Sequence, residues 1–126
     1  METMRVAPGD ITPLARPPEA AIALWVADPA AFAAQRDACA ALLSAQETAR
    51  AARMAPAPQN RFVIVRGLLR HVLGCYLAVD PRAVALTVAR HGKPALADAA
   101  DPLRFNLTHT EGCAVIAVAS RRAEGA

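Results

Sequence analysis

The sequence predicts an α+β fold in which one strand is followed by three helices and then by about three further strands. The apolar run over residues 20–27 is typical of a buried strand. Helix-capping residues and helically spaced apolar residues occupy the stretch from 28 to 77. Alternating or continuous apolar runs, separated by turns, follow over residues 84–119. Elements grouped in this way favour α+β over a doubly wound parallel sheet.

The composition is that of one globular domain. The chain has 126 residues, of which 55% are hydrophobic and 20% charged. Prolines punctuate residues 1–18 and no periodicity is found there, so we expect an irregular leader followed by a domain over residues 19–126. The sequence has neither the apolar core of a signal peptide nor a long apolar run, so we expect a cytoplasmic protein with no membrane span.

Two helices are predicted from their first residues. Asp28 followed by Pro29 provides an N-cap and a proline at the first helical position, so a helix is expected from there to Leu43. Ser44 and Glu47 have the spacing of a capping box, which predicts a second helix. The prolines at 56 and 58 should stop it.

A third helix is expected from Arg61 to Leu77, with Asn60 as its cap. Its apolar residues cover more than one face, which is typical of a largely buried helix. Gly67 and Gly74 lie on the same side, and each costs about 1 kcal/mol relative to alanine. They either admit a closely packed neighbour or are simply tolerated.

Three strands are expected after this helix. Val84, Leu86 and Val88 alternate as strand residues do, and a turn follows at 91–94. Residues 98–102 predict a polar loop and residues 103–107 the next strand. The continuous apolar run 113–119 predicts a last strand that is buried on both faces or nearly so.

The chain is mildly basic, with a net charge of +3 and a pI near 9.1. No Asp or Glu occurs from residue 48 to 79, but this stretch contains Arg50, Arg53, Arg61, Arg66 and Arg70. The block either creates a positive field suited to phosphates or to an acidic partner, or is a solvated helical face. Aromatic residues make up only 4% of the chain, which disfavours binding of single-stranded nucleic acid, and we expect no nucleic-acid partner.

Histidine and cysteine pairs give little support for a metal site. His71 and Cys75 are four residues apart, as are His109 and Cys113. A zinc site needs about four converging ligands, which nothing else supplies at ligand spacing. Buried thiols and surface histidines are the ordinary alternative. We therefore predict no metal ligands and no disulfide framework.

Two segments carry side chains suited to phosphate. Lys93 is the only lysine, and it stands in a turn where Gly92 allows close approach of the backbone and Pro94 fixes the chain. Residues 105–110, Phe-Asn-Leu-Thr-His-Thr, place two hydroxyls beside the imidazole of His109. Each segment alone is also compatible with an ordinary turn whose side chains cap the local backbone.

Five segments occur in an order and spacing that match one enzyme family. They are Leu-Ser-x-x-Glu-x-x-Arg-Ala at 43–51, Arg-Phe-Val-x-x-Arg-Gly-Leu-Leu-Arg at 61–70, Leu-Gly-x-Tyr-Leu at 73–77, Gly-Lys-Pro at 92–94 and Phe-Asn-Leu-Thr-His-Thr at 105–110. The chain resembles the 4′-phosphopantetheinyl transferases of the surfactin-synthetase-activating type over residues 20–120. Such enzymes move the 4′-phosphopantetheine arm of coenzyme A onto a serine of an acyl or peptidyl carrier protein. Their larger monomeric members consist of two similar α+β halves with coenzyme A and Mg²⁺ between them, and the predicted elements fit one half.

The resemblance implies a coenzyme A site. Arg61 and His109 would contact its 3′-phosphate or pyrophosphate, and Arg50 would add a cation at that edge. Thr108 replaces the usual serine of the family and keeps the hydroxyl. Glu47 stands where some relatives place a cation, which would weaken that part of the phosphate cradle.

The same resemblance places the turn of Gly92, Lys93 and Pro94 along the adenine and its phosphates. The coenzyme A hypothesis therefore requires that Arg61, Lys93 and His109 converge on one edge of the fold. Charge-assisted hydrogen bonds to phosphate would supply most of the binding there.

The family's Gly-x-Asp-x-Glu motif, which binds Mg²⁺, is not found before the sequence ends at 126, and neither are the later Glu and Lys that activate the carrier serine. Phosphoryl transfer depends on such a metal and base. We therefore expect an N-terminal half-domain that binds coenzyme A, lacks catalytic residues and is inactive alone, with Mg²⁺ only in a full-length member. An exposed apolar patch should mark the place of the missing half. The alternatives are a non-catalytic domain that binds coenzyme A or a nucleotide, and a half-domain that self-associates.

Overall fold

The computed structural model describes residues 1–8, 22–98, 100–110 and 112–119. Its regular elements are β1 (Glu2–Arg5), β2 (Ile22–Ala27), α1 (Arg36–Ala40), α2 (Ala45–Ala52), α3 (Pro56–Leu77), β3 (Leu86–Val88), β4 (Pro94–Leu96), β5 (Arg104–His109) and β6 (Ala114–Ala119). Short 3₁₀ segments lie at Pro29–Gln35, Pro81–Ala83 and Arg90–Gly92. The fold is α+β, as the sequence predicts. Among the described residues, none of the helices combines the length and the apolarity that crossing a bilayer would require.

The main sheet has four strands in the order β1-β2-β6-β5. β1 runs parallel to β2, whereas β2 with β6 and β5 with β6 are antiparallel pairs. β3 and β4 form a separate antiparallel pair. The strand that precedes the helices therefore pairs with the last strand, and β5 lies at an edge of the sheet.

One face of the sheet is buried and the other is not. Along β6, Ala114, Ile116 and Val118 are buried, whereas Val115 and Ala117 are only partly buried. The prediction of a strand buried on nearly both faces is therefore wrong. A continuous apolar run cannot show that helix α3 packs against the sheet from one side only.

Helix α3 separates two hydrophobic clusters. The sheet cluster consists of Ala23, Trp25, Leu69, Val72, Leu73, Tyr76, Val84, Leu103, Ile116 and Val118. The helix cluster consists of Ala27, Phe32, Cys39, Ala51, Phe62, Val63, Ile64 and Leu68. Because α3 contributes to both, it is buried along most of its length, as its apolar pattern predicts.

The N-terminal leader is not irregular throughout, so that prediction is wrong at its start. Glu2–Arg5 is a strand whose residues pair with Ala23 to Val26 of β2. Main-chain hydrogen bonds to a neighbouring strand can hold such a segment without an alternating side-chain pattern. Residues 9–18 of the predicted leader lie outside the described residues.

The first predicted helix is interrupted. Asp28 caps it as expected, accepting a hydrogen bond from the amide of Ala30 at 3.0 Å. The segment Pro29–Gln35 is 3₁₀ rather than α-helical, and α1 proper covers only Arg36–Ala40. The backbone of Phe32 departs from helical geometry, and its fully buried side chain joins the helix cluster. The burial of one aromatic ring has outweighed the helical preference of the surrounding alanines.

Helix α3 begins earlier than predicted. Its first residue is Pro56, and Ala55 occupies the N-cap position that the sequence assigned to Asn60. Proline is favourable at the first helical position because its missing N–H has no partner there in any case. The side chain of Asn60 instead accepts a hydrogen bond from Arg36 Nε at 2.6 Å.

The two glycines of α3 admit close neighbours, so the packing alternative is confirmed. A Cβ atom at Gly67 would lie 2.6 Å from Cys39 Cβ and 2.9 Å from Cys39 Cα. One at Gly74 would lie 2.8 Å from the backbone oxygen of Val79. α1 and the chain after α3 therefore approach the helix at distances that no side chain allows.

The turn predicted at 91–94 is present, but it is followed by a strand that the sequence did not predict. His91 and Gly92 have positive φ angles of 62° and 77°. This reversal joins β3 to β4, whose Pro94 pairs with Val88. Three-residue strands are too short for a periodic signal, which explains the omission of β4.

Candidate anion site

The site is built on the capping box that starts α2. Ser44 Oγ accepts a hydrogen bond from the amide of Glu47 at 3.1 Å, and Glu47 Oε1 accepts one from the amide of Ser44 at 2.9 Å. This reciprocal pair is the one that the sequence predicts. It also fixes the carboxylate of Glu47 against the side of α3.

Glu47 is the counter-charge that two buried arginines share. Its oxygens accept hydrogen bonds from Arg66 Nη1 at 3.1 Å and from Arg70 Nε at 2.8 Å. Burial alone would raise the pKa of Glu47, but the bonds from Ser44, Arg70 and Arg66 outweigh it and the pKa is lowered. The charge of Glu47 is thus paired inside the fold, and the expectation that it weakens a phosphate cradle stays a prediction.

Two guanidinium groups lie against the ring of Phe62. The Cζ atom of Arg66 is 4.8 Å from the ring centroid and that of Arg50 is 5.0 Å away. The aromatic ring stabilises both cations, which offsets part of their mutual repulsion. Burial lowers the pKa of Arg66, and the charge of Arg50 acts in the same direction.

His109 lies at the end of β5 on the face that looks towards α3. It pairs with Ala114, and the residues of β6 that share this face are buried. Its pKa is lowered first by desolvation and then by the charges of Arg61 and Arg66. The imidazole is therefore close to two arginines of α3.

Lys93 lies on the other side of the same strand. Its Nζ donates to Asn106 Oδ1 at 3.4 Å. Asn106 and Thr108 alternate with His109 along β5, so their side chains share the face opposite to that of His109. Lys93 and Thr108 are exposed, and Gly92 and Pro94 are partly buried.

The predicted site residues thus form two groups on either side of an edge strand. Arg61 is near enough to His109 on the helix side for its charge to lower the pKa of the imidazole, and Arg50 lies on the ring of Phe62 in the same helix. Lys93 and Thr108 lie on the outer side of β5, with the turn that holds Gly92 and Pro94. The expected convergence of Arg61, Lys93 and His109 on one edge is therefore not found on a single face of β5. Among the described strands β5 is hydrogen-bonded to β6 alone, so a ligand would have to reach around this edge to contact both groups.

Sequence reasoning assigned no role in the site to Arg66 or Phe62. Both occur in the segment 61–70 that carries the resemblance, but each looks there like part of a helix core. The spacing of Arg66 and Arg70 by one helical turn, with Glu47 in the preceding helix, was the available signal. A one-dimensional pattern could not show which arginine reaches His109.

The described residues contain no group of three His, Cys, Asp or Glu side chains that could hold a metal ion. The histidine–cysteine pairs at 71/75 and 109/113 therefore gain no third ligand within the described part of the chain. Cys39 is buried and its pKa is raised to about 11, so its thiol is not ionised at neutral pH.

A sequence comparison finds similarity to a known enzyme. The chain is 45% identical over 82 residues to the 4′-phosphopantetheinyl transferase HetI of Nostoc sp. (strain PCC 7120), and the match covers 63% of this chain. This similarity supports the phosphopantetheinyl transferase superfamily. The aligned segment spans about a third of that relative, 35% of its length. No family model matches the chain.

Proposed function

We propose that residues 19–126 are the coenzyme A-binding, N-terminal half of a phosphopantetheinyl transferase of the surfactin-synthetase-activating type. The observation that carries the proposal is a cluster of cations near the end of β5. Arg50 and Arg66 lie on the ring of Phe62, and the pKa of His109 is lowered first by desolvation and then by the charges of Arg61 and Arg66. The neighbouring guanidinium groups repel one another until an anion binds between them. A phosphate group of coenzyme A supplies that anion, and the similarity to HetI supports this choice.

The residues present suit a phosphate ligand. Guanidinium groups donate in pairs to phosphate oxygens, and a protonated imidazole adds a further charge-assisted bond. A bound phosphate would favour the charged form of His109 and so raise its pKa from the lowered value of the free protein. The residues on this side of the strand are Arg50, Arg61, Arg66 and His109.

The second group of residues is proposed to extend the same site. Lys93 can reach phosphate as a flexible point charge, while Gly92 and Pro94 shape the turn that carries it. Thr108 adds a hydroxyl on that side of β5. These residues would lie along the adenine and its adjacent phosphates, as the resemblance implies.

We propose that transfer to a carrier-protein serine requires residues beyond those described. The described residues do not fit Mg²⁺, since no group of three His, Cys, Asp or Glu side chains that could hold it is found among them. The contribution of the chain is to bind and orient the phosphates of coenzyme A. A carrier protein and Mg²⁺ are expected as partners only in a full-length context.

The outer face of the sheet supports the half-domain part of the proposal. Ile22 is 48% exposed, and Leu24 and Val26 on the same face are partly exposed. Val115 and Ala117 of β6 pair beside them and are also only partly buried. A contiguous apolar face of this kind marks an interaction surface. We propose that a second α+β half, or a second copy of the chain, packs there.

Isothermal titration with coenzyme A tests the binding function. The 126-residue chain should bind it, and both Arg61→Gln and His109→Gln should weaken binding about tenfold or more. Arg82→Gln is the matched control because it removes the same charge from the 3₁₀ segment that packs beside Gly74, which lies roughly 20 Å along α3 from Arg61. No heat at millimolar coenzyme A, or equal losses in all three variants, would reject the proposal.

A transfer assay to an acyl or peptidyl carrier protein tests the catalytic part. The isolated chain should transfer no labelled phosphopantetheine, with or without added Mg²⁺. Turnover by the isolated chain would show that its own residues supply the metal site and the base.

Sedimentation velocity tests the outer face, where Ile22→Lys should abolish any concentration-dependent self-association of the chain.

A further inference from the structure

Arg66 and Arg70 are two nearly equivalent arginines with different surroundings. They lie one turn apart on α3, and both donate to the carboxylate of Glu47. Both are buried, with 7% and 3% of their surfaces exposed. The sequence alone gives no reason to separate them.

The remaining donors of Arg70 serve the fold. Its Nη1 donates to the backbone oxygens of Pro81 at 3.1 Å and Val84 at 2.9 Å. These bonds tie the chain that follows α3 back onto the helix. A buried guanidinium whose donors are used in this way is a structural group.

The remaining donors of Arg66 have no such use. Among the residues that the structure describes, Glu47 is the one hydrogen-bond acceptor of its guanidinium. No nitrogen of Arg66 is both sealed from solvent and unpaired in this part of the chain, so its other N–H groups reach the surface. Its side chain is 9% exposed, against 3% for Arg70.

The charge of Arg66 is also directed towards the site. It lowers the pKa of His109, whereas Arg70 is not among the groups that do so. The guanidinium rests on the ring of Phe62 beside Arg50. Glu47 binds one nitrogen of the Arg66 guanidinium, and the ring of Phe62 packs against one face of it. These two contacts fix the plane of the guanidinium before any ligand binds.

We propose that Arg66 is a phosphate ligand of this site, held in place by Glu47 and donating its free N–H groups to the same anion as Arg61 and His109. This inference rests on the proposed coenzyme A function. A guanidinium that is nine-tenths buried loses solvation, and its unpaired donors regain that loss only when an acceptor binds. Preorganisation by Glu47 means that little rotamer entropy is lost when the anion arrives.

The test compares Arg66→Gln with Arg70→Gln. Each variant removes one guanidinium charge that is paired with Glu47. Isothermal titration with coenzyme A should show about a tenfold weaker affinity for Arg66→Gln and less than a twofold change for Arg70→Gln. Arg66→Lys keeps the charge but loses the fork, so its affinity should fall between the wild type and Arg66→Gln. If a glutamine variant does not fold, Arg66→Lys and Arg70→Lys supply the same comparison.

A second measurement reports the site without coenzyme A. In an NMR titration, Arg66→Gln should raise the pKa of His109 in the free protein, because one of the cations that depress it is gone. Arg70→Gln should leave that pKa unchanged. Inorganic pyrophosphate should raise the pKa of His109 in the wild type, and by less in Arg66→Gln.

The outcomes separate the two proposals. Equal losses of coenzyme A affinity in the Arg66 and Arg70 variants would overturn the role of Arg66 and leave the coenzyme A function intact. Binding of pyrophosphate but not of coenzyme A, still dependent on Arg66, would reject the coenzyme A function and retain the anion ligand. Binding of neither probe would reject both.

Discussion

The two hydrophobic clusters on either side of α3 are stabilised in different ways. The side chains of the sheet cluster are apolar apart from the pair in which Trp25 Nε1 donates to the hydroxyl of Tyr76 at 3.1 Å, and Arg70 reaches the cluster only at the backbone oxygen of Val84. The helix cluster is bordered by Glu47 and the arginines that it binds. Its Phe62 lies beneath two guanidinium groups.

This difference indicates which side of the molecule can carry function. Changes in the sheet cluster should alter the free energy of unfolding and leave the charge of the surface unchanged. Changes around the helix cluster should alter stability, the pH dependence of stability and anion affinity together, because the same side chains serve all three. Four substitutions test this division, taken from the largest expected effect to the smallest.

Glu47→Gln should have the largest effect, lowering the free energy of unfolding by about 3–5 kcal/mol in urea titrations at neutral pH. The amide keeps the shape of the side chain but leaves two buried guanidinium groups without a counter-charge. Asp37→Asn is the control, since that carboxylate is 99% exposed and its ion pair with Arg36 should contribute little. A cost below about 1 kcal/mol for Glu47→Gln would show that the network is dispensable.

The same variant should flatten the acid limb of the stability curve. The folded-state pKa of Glu47 lies below its ordinary value of 4.5, so its contribution is fully present above that pH and is lost as the pH falls through the folded value. The pKa of His109 is also lowered, so its protonation below the ordinary value of 6.5 favours the unfolded chain. Burial lowers the pKa of His71 as well, so both histidines contribute to the pH dependence below 6.5. Glu47→Gln should therefore reduce the slope at the lower pH values, whereas His109→Gln should reduce the slope at the higher pH values and leave the contribution of His71.

Leu69→Ala tests the sheet cluster, where we expect a loss of about 2–5 kcal/mol in the free energy of unfolding. Leu69 is fully buried, and truncation leaves a cavity between α3 and the sheet. Coenzyme A affinity of the folded protein should stay within about twofold of the wild type, since no charge is altered. A tenfold loss of affinity would show that the two clusters are coupled.

Gly67→Ala should cost about 1–3 kcal/mol, measured by urea denaturation, although alanine is the better helix former. The added methyl would lie 2.6 Å from Cys39 Cβ and 2.9 Å from its Cα, so α1 must move. The double variant with Cys39→Ala should not recover stability, because the contact involves Cβ and backbone. Gly112→Ala, with no atom within 4 Å of the new Cβ, should be nearly neutral.

Tyr76→Phe should have the smallest effect, about 1 kcal/mol, because it removes a single hydrogen bond and keeps the edge-to-face contact of the two rings. Trp25 is the only tryptophan, so its fluorescence follows the unfolding of the sheet cluster directly. The pH dependence of stability on the acid side should match that of the wild type, whereas the alkaline side should change because the pKa of Tyr76, which burial raises, no longer contributes. An altered acid limb would contradict the separation of the two clusters.

Local chemistry in the sequence was enough to predict several elements. The capping box at Ser44 and Glu47, the cap at Asp28 and the buried character of α3 were all predicted correctly, since each depends on residues within a few positions of one another. The start of α3 was misplaced because Asn60 is a good cap in isolation, and only the arrival of Arg36 from another helix shows that its side chain is engaged elsewhere.

The sequence by itself determined the α+β class, the order of the main elements and the presence of phosphate-suited residues at Arg61, Lys93 and His109, because capping, turn and charge patterns are local. Only the tertiary structure decided how those residues are arranged: β5 separates Lys93 from His109, and α3 brings Arg66 beside the imidazole. It also decided that Glu47 is a buried counter-charge. The reason is that burial and the proximity of charges depend on contacts between segments that are distant in the sequence. Local sequence patterns do not contain these contacts.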